Sequence, residues 1–477
     1  MAKVKAWTNG EAGEPKFPAD FEIVTKAVLQ VTDIKTNRNK YYAIELHSAA
    51  GSYRVFTHYG RTDDLETNPD AGQKECRYFS THVEAEAEYK SIYKQKTSAS
   101  KGYKEVALAS SKIGSQKARG TSAGEIDAKT IQKLADAKAE KGEAPAVIKR
   151  SELPPGVQEL VSYIYGEATD ALTTTVAAKI TAQGIETPLG ILTIGQVEKG
   201  EAILQELYGL FKSGKPKQND IVRLSGDFYT CIPHRIGRSR SAIEGAVINS
   251  LEAFEQKQET LQLMKDMIQV NGETGSVLFD AEIDKKYEAL KCGIGWVEKN
   301  TSMYRELEQH VLSSQVKTKS IKVKNIFSLK RAGEWDNFTS NIDNQRLLFH
   351  GSRIKNWVGI LSRGILLPKI VVSLGVNRTD AGWLGSGIYF GDAACTSSFY
   401  TSPGKKGTRF MAIARVALGK MKDYRKITYG ISEPPPGYDS CHGVRNKAGQ
   451  PSEFADDEYV IYRGQQQRLE YLVEFAA

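Results

Sequence analysis

Apolar and polar residues alternate in Ala27-Val28-Leu29-Gln30-Val31-Thr32-Asp33, in Tyr41-Tyr42-Ala43-Ile44-Glu45-Leu46 and in Tyr53-Arg54-Val55-Phe56-Thr57-His58-Tyr59. A period of two sends successive side chains to opposite faces of a sheet, so three strands are predicted in a first block of about 17–115. Within that block Val83, Ala87, Ile92 and Tyr93 fall at near-helical spacing, predicting one helix over Thr81–Lys96 packed on the sheet. Gly102-Tyr103-Lys104-Glu105-Val106 reads as a further extended piece. Patterning is then lost over about 116–150, where Gly120-Thr121-Ser122-Ala123-Gly124 and Lys138-Ala139-Glu140-Lys141-Gly142-Glu143 predict a linker with one weak helix.

From about 151 to 275 the period becomes helical. Leu153-Pro154-Pro155 opens a helix with proline in its first turn, and Val157, Leu160, Val161, Ile164 and Tyr165 form its apolar stripe. A turn at Thr187-Pro188-Leu189-Gly190-Ile191-Leu192-Thr193 and a helix around Val197–Phe211 follow, with Asp227-Phe228-Tyr229-Thr230-Cys231-Ile232-Pro233-His234 beyond them. His234, after Ile-Pro, is expected to cap or support a loop and not to hold a metal. In a third block of about 280–477, apolar runs precede His350 and follow Glu458, placing both at ends of strands.

At 477 residues there is room for about three domains, with the composition of a folded protein. No run of eighteen apolar residues occurs, and the N-terminus lacks an apolar signal core, so neither a membrane span nor a secretory leader is expected and the protein is predicted to be intracellular. Five scattered cysteines without CxxC spacing argue against a disulfide framework and a zinc site. The net charge of +8 is mild; residues 1–100 carry 14 Lys/Arg against 14 Asp/Glu, and 101–150 carry 11 against 6. Such a balance does not by itself argue for nucleic acid, so that case rests on motifs.

The third block orders Leu347-Leu348-Phe349-His350-Gly351-Ser352-Arg353, Gly385-Ser386-Gly387-Ile388-Tyr389-Phe390 and Asp457-Glu458-Tyr459-Val460-Ile461-Tyr462. Gly385 and Gly387 would let backbone approach a flat ligand. No GxGxxG follows a strand and opens a helix, so a Rossmann site is not expected. These segments resemble the catalytic domain of the poly(ADP-ribose) polymerase family, with its His-Tyr-Glu triad on a split sheet. Asn39-Lys40-Tyr41-Tyr42 and Tyr59-Gly60-Arg61-Thr62 resemble the WGR domain, with Tyr in place of Trp, and the second block resembles the helical regulatory domain of DNA-dependent members. The implied fold class is α+β and multidomain: a small antiparallel-sheet WGR domain (17–115), a linker (116–150), an all-α helical regulatory domain (151–275) and a mixed α/β split-sheet ADP-ribosyltransferase domain (280–477).

The resemblance implies NAD+ as a substrate, no metal, and a catalytic set of His350, Tyr389 and Glu458. Gly351 would offer its backbone N–H and C=O to the nicotinamide carboxamide, and Ser397 a hydroxyl to the same amide. Tyr389 and Tyr400 would sandwich the ring, since a cationic pyridinium is well held between aromatic faces. His350 would bond the adenosine-side ribose, Ser352 and Arg353 would support the adenosine half, and Gly387 would lie in the same site. Glu458 would stabilise the oxocarbenium-like ribose as the N-glycosidic bond breaks, and hold an acceptor hydroxyl. Tyr59, Gly60 and Arg61 would meet a broken DNA end, by ring stacking and by Arg on phosphate. The implied partners are DNA with strand breaks or ends and protein acceptors, the chain itself included; no membrane is involved, and the free protein is expected to be a monomer. A eukaryotic source would place it in the nucleus, a bacterial one in the cytoplasm or nucleoid.

The helical block, as a lid over the site, implies autoinhibition relieved by DNA; a plain stabilising subdomain fits the same residues. The linker is either a tether or a basic segment that contacts DNA or is itself modified. Departures from the family pattern are Thr396 for a lysine, Leu366 for an arginine and Asp456 for an aromatic, with only a short segment between Ser440-Cys441-His442-Gly443 and Glu458. These touch chain growth or adenosine binding and weigh against long, branched polymer. Arg378, in a donor loop expected at Ile370–Trp383, is a candidate replacement for the lost guanidinium. A catalytically idle DNA-end scaffold and an NAD glycohydrolase are the competing readings.

Overall fold

The structure, a computed structural model, describes residues 7–8, 17–66, 68, 70–119, 151, 153–175, 179–181, 184–213, 217–234, 236, 239–273, 283–316, 320–367 and 382–477. The chain divides into one unit of residues 1–146 and 172–280 and another of 147–171 and 281–477. Most of the expected linker, and Arg378 with most of its loop, lie outside the described residues.

In the first unit the alternating stretches become strands because their apolar faces share one core. β1 (Trp7–Thr8), β2 (Glu22–Asp33), β3 (Arg38–Ala49), β4 (Ser52–Arg61), β5 (Gln73–Phe79) and β6 (Lys104–Glu105) pair antiparallel in the order β1-β5-β4-β3-β2-β6. α1 (His82–Thr97) starts at Thr81, whose hydroxyl accepts the Glu84 N–H at 3.3 Å. Its Ala85, Tyr89 and Ile92 are buried in a cluster with Leu29, Ile44 and Val55. Val83 is 74% exposed and Ala87 is also exposed, which corrects the expected stripe. The face that runs through Tyr89 and Ile92 meets Ala85 one turn earlier, leaving Val83 and Ala87 off it.

Beyond β7 (Leu108–Ser111) and α2 (Pro155–Thr175), the region expected to be helical throughout carries three short strands, β8 (Lys179–Thr181), β9 (Gly184–Glu186) and β10 (Gly190–Leu192). They join β7 in a sheet ordered β7-β10-β9-β8. The turn at Thr187–Gly190 is the reason: the two residues exchange backbone hydrogen bonds of 2.7 and 3.1 Å, and Gly190, at φ +146°, has no Cβ to strike the Ser110 carbonyl. The helices α3 (Ile194–Lys212), α4 (Gln218–Cys231), α5 (Arg240–Gly245) and α6 (Leu251–Glu273) follow. α4 packs on β2, where a Cβ at Gly226 would stand 2.7 Å from the Thr32 carbonyl oxygen and the Thr230 hydroxyl accepts the Thr32 N–H at 2.8 Å. His234 is buried, and its Nδ1 bonds the Ile232 carbonyl at 2.7 Å in the loop after α4, the supporting role expected of it.

The second unit begins with residues 155–171 of α2, whose stripe Val157, Leu160, Val161, Ile164 and Tyr165 is fully buried. After α7 (Ile283–Ala289) come β11 (Cys292–Val297), α8 (Ser302–Ser313), β12 (Lys322–Arg331), β13 (Gln345–Ser352), α9 (Trp357–Arg363), β14 (Ile388–Gly391), α10 (Ala394–Ser398), β15 (Arg409–Ala417), β16 (Met421–Tyr424), β17 (Ser440–Gly443), β18 (Glu458–Ile461) and β19 (Gln467–Ala476). Nine strands order as β11-β12-β19-β15-β13-β14-β18-β17-β16, with only β16 and β17 parallel. β13 pairs with β15 along eight positions but with β14 through Phe349 and Gly391 alone, so the sheet splits there. Tyr304, Leu307 and Val311 of α8 seal one face over Phe349, Met411, Ile413 and Val473. No helix among the described residues is long and apolar enough to cross a membrane.

Candidate active site

The split brings distant segments together. Gly391 is the ladder partner of Phe349 on one side and of Glu458 on the other, so residues 349, 391 and 458 stand in one row across three strands. Directly opposed residues lie about 4.5–5.5 Å apart at Cα, which sets the Glu458 backbone two strand spacings from the residue before His350. α10 follows β14 immediately and presents Ser397, whose hydroxyl donates to the Phe349 carbonyl at 3.0 Å. His350, Gly351, Tyr389, Phe390, Gly391, Thr396, Ser397, Tyr400 and Glu458 line a single cavity of about 80 Å³.

Each polar group there is set by a specific neighbour. His350 Nδ1 stands 2.9 Å from the Tyr389 carbonyl, which can only accept, so the ring proton sits on Nδ1 and Nε2 is left as an acceptor. Burial lowers the His350 pKa, and the ring is neutral. The Tyr389 hydroxyl takes the Leu384 N–H at 2.9 Å and donates to the Gly385 carbonyl at 2.8 Å, which fixes the ring. A Cβ at Gly351 would collide with the Ser397 carbonyl oxygen, so a side chain there would displace α10. Tyr400 is 61% exposed at the mouth.

Glu458 accepts no hydrogen bond from any described residue. Burial, then the charge of Asp456, pushes its carboxyl up to about 7. Asp457, the acid directly before it, is compensated. Burial opposes ionisation of Asp457, but the His442 ring, at 2.8 Å from Nε2, and the Arg445 N–H, at 3.0 Å, bring it down to about 2. His442 also bonds Asp423 at 2.9 Å and stacks on Tyr459, the residue after Glu458, at 4.6 Å. Arg445 donates to Asp392 at 2.9 Å, and its Nε is 3.7 Å from both Asp456 and Asp457. A half-buried carboxylate without donors among the described residues can meet a developing positive charge or take a proton from a bound hydroxyl.

Of the residues singled out in the sequence, His350, Gly351, Tyr389, Ser397, Tyr400 and Glu458 share the cavity. Ser352, Arg353 and Gly387 do not line it. Ser352 accepts from the Asn356 amide at 3.2 Å, Arg353 opens the 3₁₀ turn Ile354–Asn356, and Gly387 lies against Val460, where a Cβ would collide. Phe390, Gly391 and Thr396 were missed as lining residues; all three lie within the segment from Tyr389 to Ser397, which was the available signal.

Tyr59, Gly60 and Arg61 end β4 in the first unit. The Tyr59 ring stacks on Tyr42 at 5.1 Å and its hydroxyl donates to Glu75 at 2.6 Å. Arg61 donates to the Asn37 carbonyl at 3.0 Å and to Asp63 at 3.0 Å. Gly60 leaves room for Gly72 and the Tyr41 ring, both within about 3 Å of where its Cβ would be.

Comparison with known proteins matches this arrangement to three family models: the WGR domain over residues 25–109, the poly(ADP-ribose) polymerase regulatory domain over 151–291 and the poly(ADP-ribose) polymerase catalytic domain over 301–477. The chain belongs to the poly(ADP-ribose) polymerase family. It is 36% identical over 330 residues to Protein mono-ADP-ribosyltransferase PARP4 of Mus musculus, covering 69% of this chain and 16% of that relative. With Protein mono-ADP-ribosyltransferase PARP3 of Homo sapiens it is 25% identical over 490 residues, 94% of this chain and 86% of that relative. It is 27% identical over 445 residues to Poly [ADP-ribose] polymerase of Sarcophaga peregrina, 89% of this chain and 41% of that relative. The chain thus spans under a fifth of the length of the PARP4 relatives.

Proposed function

We infer that this chain is an NAD+ ADP-ribosyltransferase, stimulated by DNA breaks, that moves ADP-ribose onto protein acceptors and onto itself and releases nicotinamide in a DNA damage response. The observation that carries this reading is the single cavity joining His350, Tyr389, Tyr400 and Glu458. Nicotinamide lies between the Tyr389 and Tyr400 rings, its carboxamide on the Gly351 backbone and the Ser397 hydroxyl. His350 accepts a hydroxyl of the adenosine-side ribose at Nε2, the nitrogen left open by its bond to Tyr389. The pyridinium already carries the charge, so it departs as neutral nicotinamide without an acid; what needs stabilising is the positive ribose left behind. Glu458 supplies that charge and orients the acceptor nucleophile toward C1′.

The domain roles follow: DNA-end binding over 17–115, regulation over 151–275 and transfer over 280–477, with Tyr59 and Arg61 on the DNA side. Thr396, Leu366 and Asp456, together with the names of the relatives at 36% identity, support transfer of single units or short chains. A eukaryotic source makes the protein nuclear.

Incubation with labelled NAD+, with and without nicked DNA, tests the whole proposal. Labelled protein that increases with nicked DNA is expected. Absence of turnover would leave an idle DNA-end scaffold, and free ADP-ribose without labelled protein would make it a glycohydrolase.

A further inference from the structure

Thr396 is 8% exposed, and its hydroxyl is a buried polar atom that meets no hydrogen-bond partner among the described residues. Its neighbours on α10 are not in that position: Ser397 donates to the Phe349 carbonyl and Ser398 to the Cys395 carbonyl at 2.7 Å. A buried hydroxyl without a partner is destabilising, and native interiors leave few of them. This one lines the cavity that holds Glu458. It also lies over Gly391, where an added Cβ would come 3.6 Å from the Thr396 Cβ; Gly391 is the ladder partner of Glu458. Thr396 on α10 and Glu458 on β18 therefore line the same small cavity, the one with an unsatisfied hydroxyl and the other with a carboxylate to which no described residue donates.

We propose that Thr396 is a substrate-binding residue, donating its hydroxyl proton to a hydroxyl oxygen of the nicotinamide-side ribose of NAD+ while that same ribose hydroxyl donates to Glu458. A ribose hydroxyl has one proton and two lone pairs, so it can serve both neighbours at once, whereas neither protein group satisfies the other in the free protein. A neutral donor there orients the ribose without adding a cation beside Glu458, in keeping with a carboxyl whose burial goes uncompensated. The inference rests on the reading of Glu458 as the charge-stabilising group.

The test uses Thr396→Val, which keeps the shape and removes the hydroxyl, with Thr396→Ser as the rescue. Binding and turnover of NAD+ are compared with those of an analogue lacking the 2′-hydroxyl on the nicotinamide-side ribose. Loss of one hydrogen bond predicts that Thr396→Val raises the KM and the dissociation constant for NAD+ roughly 3- to 10-fold. Thr396→Ser should restore both, and the thermal midpoint of ligand-free Thr396→Val should be unchanged or higher, because an unsatisfied group has gone. With the deoxy analogue, wild type and Thr396→Val should bind alike. Equal binding of NAD+ by both proteins overturns the proposal, as does an equal loss for NAD+ and the analogue. Glu458→Gln is measured alongside: full turnover in that variant would end the Glu458 reading, while the binding comparison at Thr396 would still stand or fall by itself.

Discussion

A buried carboxylate in one unit and a half-buried one in the other are treated in opposite ways. Glu45 in β3 is 2% exposed and is met by the Ser115 N–H at 2.8 Å, the Ser115 hydroxyl at 2.5 Å and His47 Nε2 at 2.8 Å. His47 in turn takes the Arg54 Nε–H at 3.1 Å on its other nitrogen, so every polar atom in that network is occupied. Glu458 in β18 has burial and a like charge beside it, and no donor among the described residues. A satisfied carboxylate ties a chain segment to a sheet, as Glu45 ties residue 115 to β3. One left without donors lowers the stability of the free protein and gains its partner from a ligand.

That contrast is broken most severely by Glu458→Gln, which removes the charge and keeps the shape. Nicotinamide release should fall about 10²–10³-fold, read by single-turnover kinetics with saturating NAD+. Undiminished release would show Glu458 to be as structural as Glu45. The converse variant, Glu45→Ala, strands the Ser115 N–H and His47 in the core and should cost about 3 kcal/mol by denaturant unfolding. A loss below about 1 kcal/mol would mean that network is replaceable by water.

The pH dependence separates the two sites next. Because the Glu458 carboxyl titrates at about 7 when folded and near the ordinary 4.5 of a glutamate when unfolded, the folded state holds a proton that the unfolded state has released between those limits. Stability therefore falls as pH rises from about 4.5 to about 7, and Glu458→Gln lacks this slope. The variant should have the higher thermal midpoint at pH 8, and the gap should close toward pH 4.5. In the active protein kcat/KM should decline below about pH 7, as the carboxylate takes up its proton. A flat profile across pH 6–8 would contradict a role for the ionised form.

The smallest effect is expected where Tyr59 donates to Glu75. Tyr59→Phe removes one half-buried bond and should cost about 1 kcal/mol of stability in the first unit. A change in DNA-stimulated turnover at unchanged stability would instead mark the hydroxyl as a contact to DNA.

Strand patterns were plain in the sequence of β2, β3 and β4 because the period of the apolar positions marks the face that meets the core, although the centres of these strands are buried on both faces. The stripe of α2 was legible for the same reason. The buried face of α1 was misplaced at its first turn, since Ala85 is as small as Ala87 and only packing chooses between them. Short strands β8 to β10 were missed because two or three residues carry no period, and a turn at Thr187–Gly190 decides them. In the candidate site the motif residues His350, Tyr389 and Glu458 were readable from their flanks. The cavity role of Thr396 was not, because an orphaned hydroxyl is a property of its surroundings and not of its residue type.

By itself the amino-acid order determined the alternating strands, the apolar stripe of α2, and the chemical types brought to the site: an imidazole, two phenols and a carboxylate. Tertiary structure alone decided that β14 meets β13 through one residue pair, so that Gly391 sets His350 and Glu458 around one small space although 108 positions separate them in the chain. It also decided which polar atoms go unsatisfied. Local sequence carries periodicity and hydrogen-bonding capacity, but whether a carboxylate or hydroxyl finds a donor depends on which distant strand lies beside it, and that is known only once the sheet has closed.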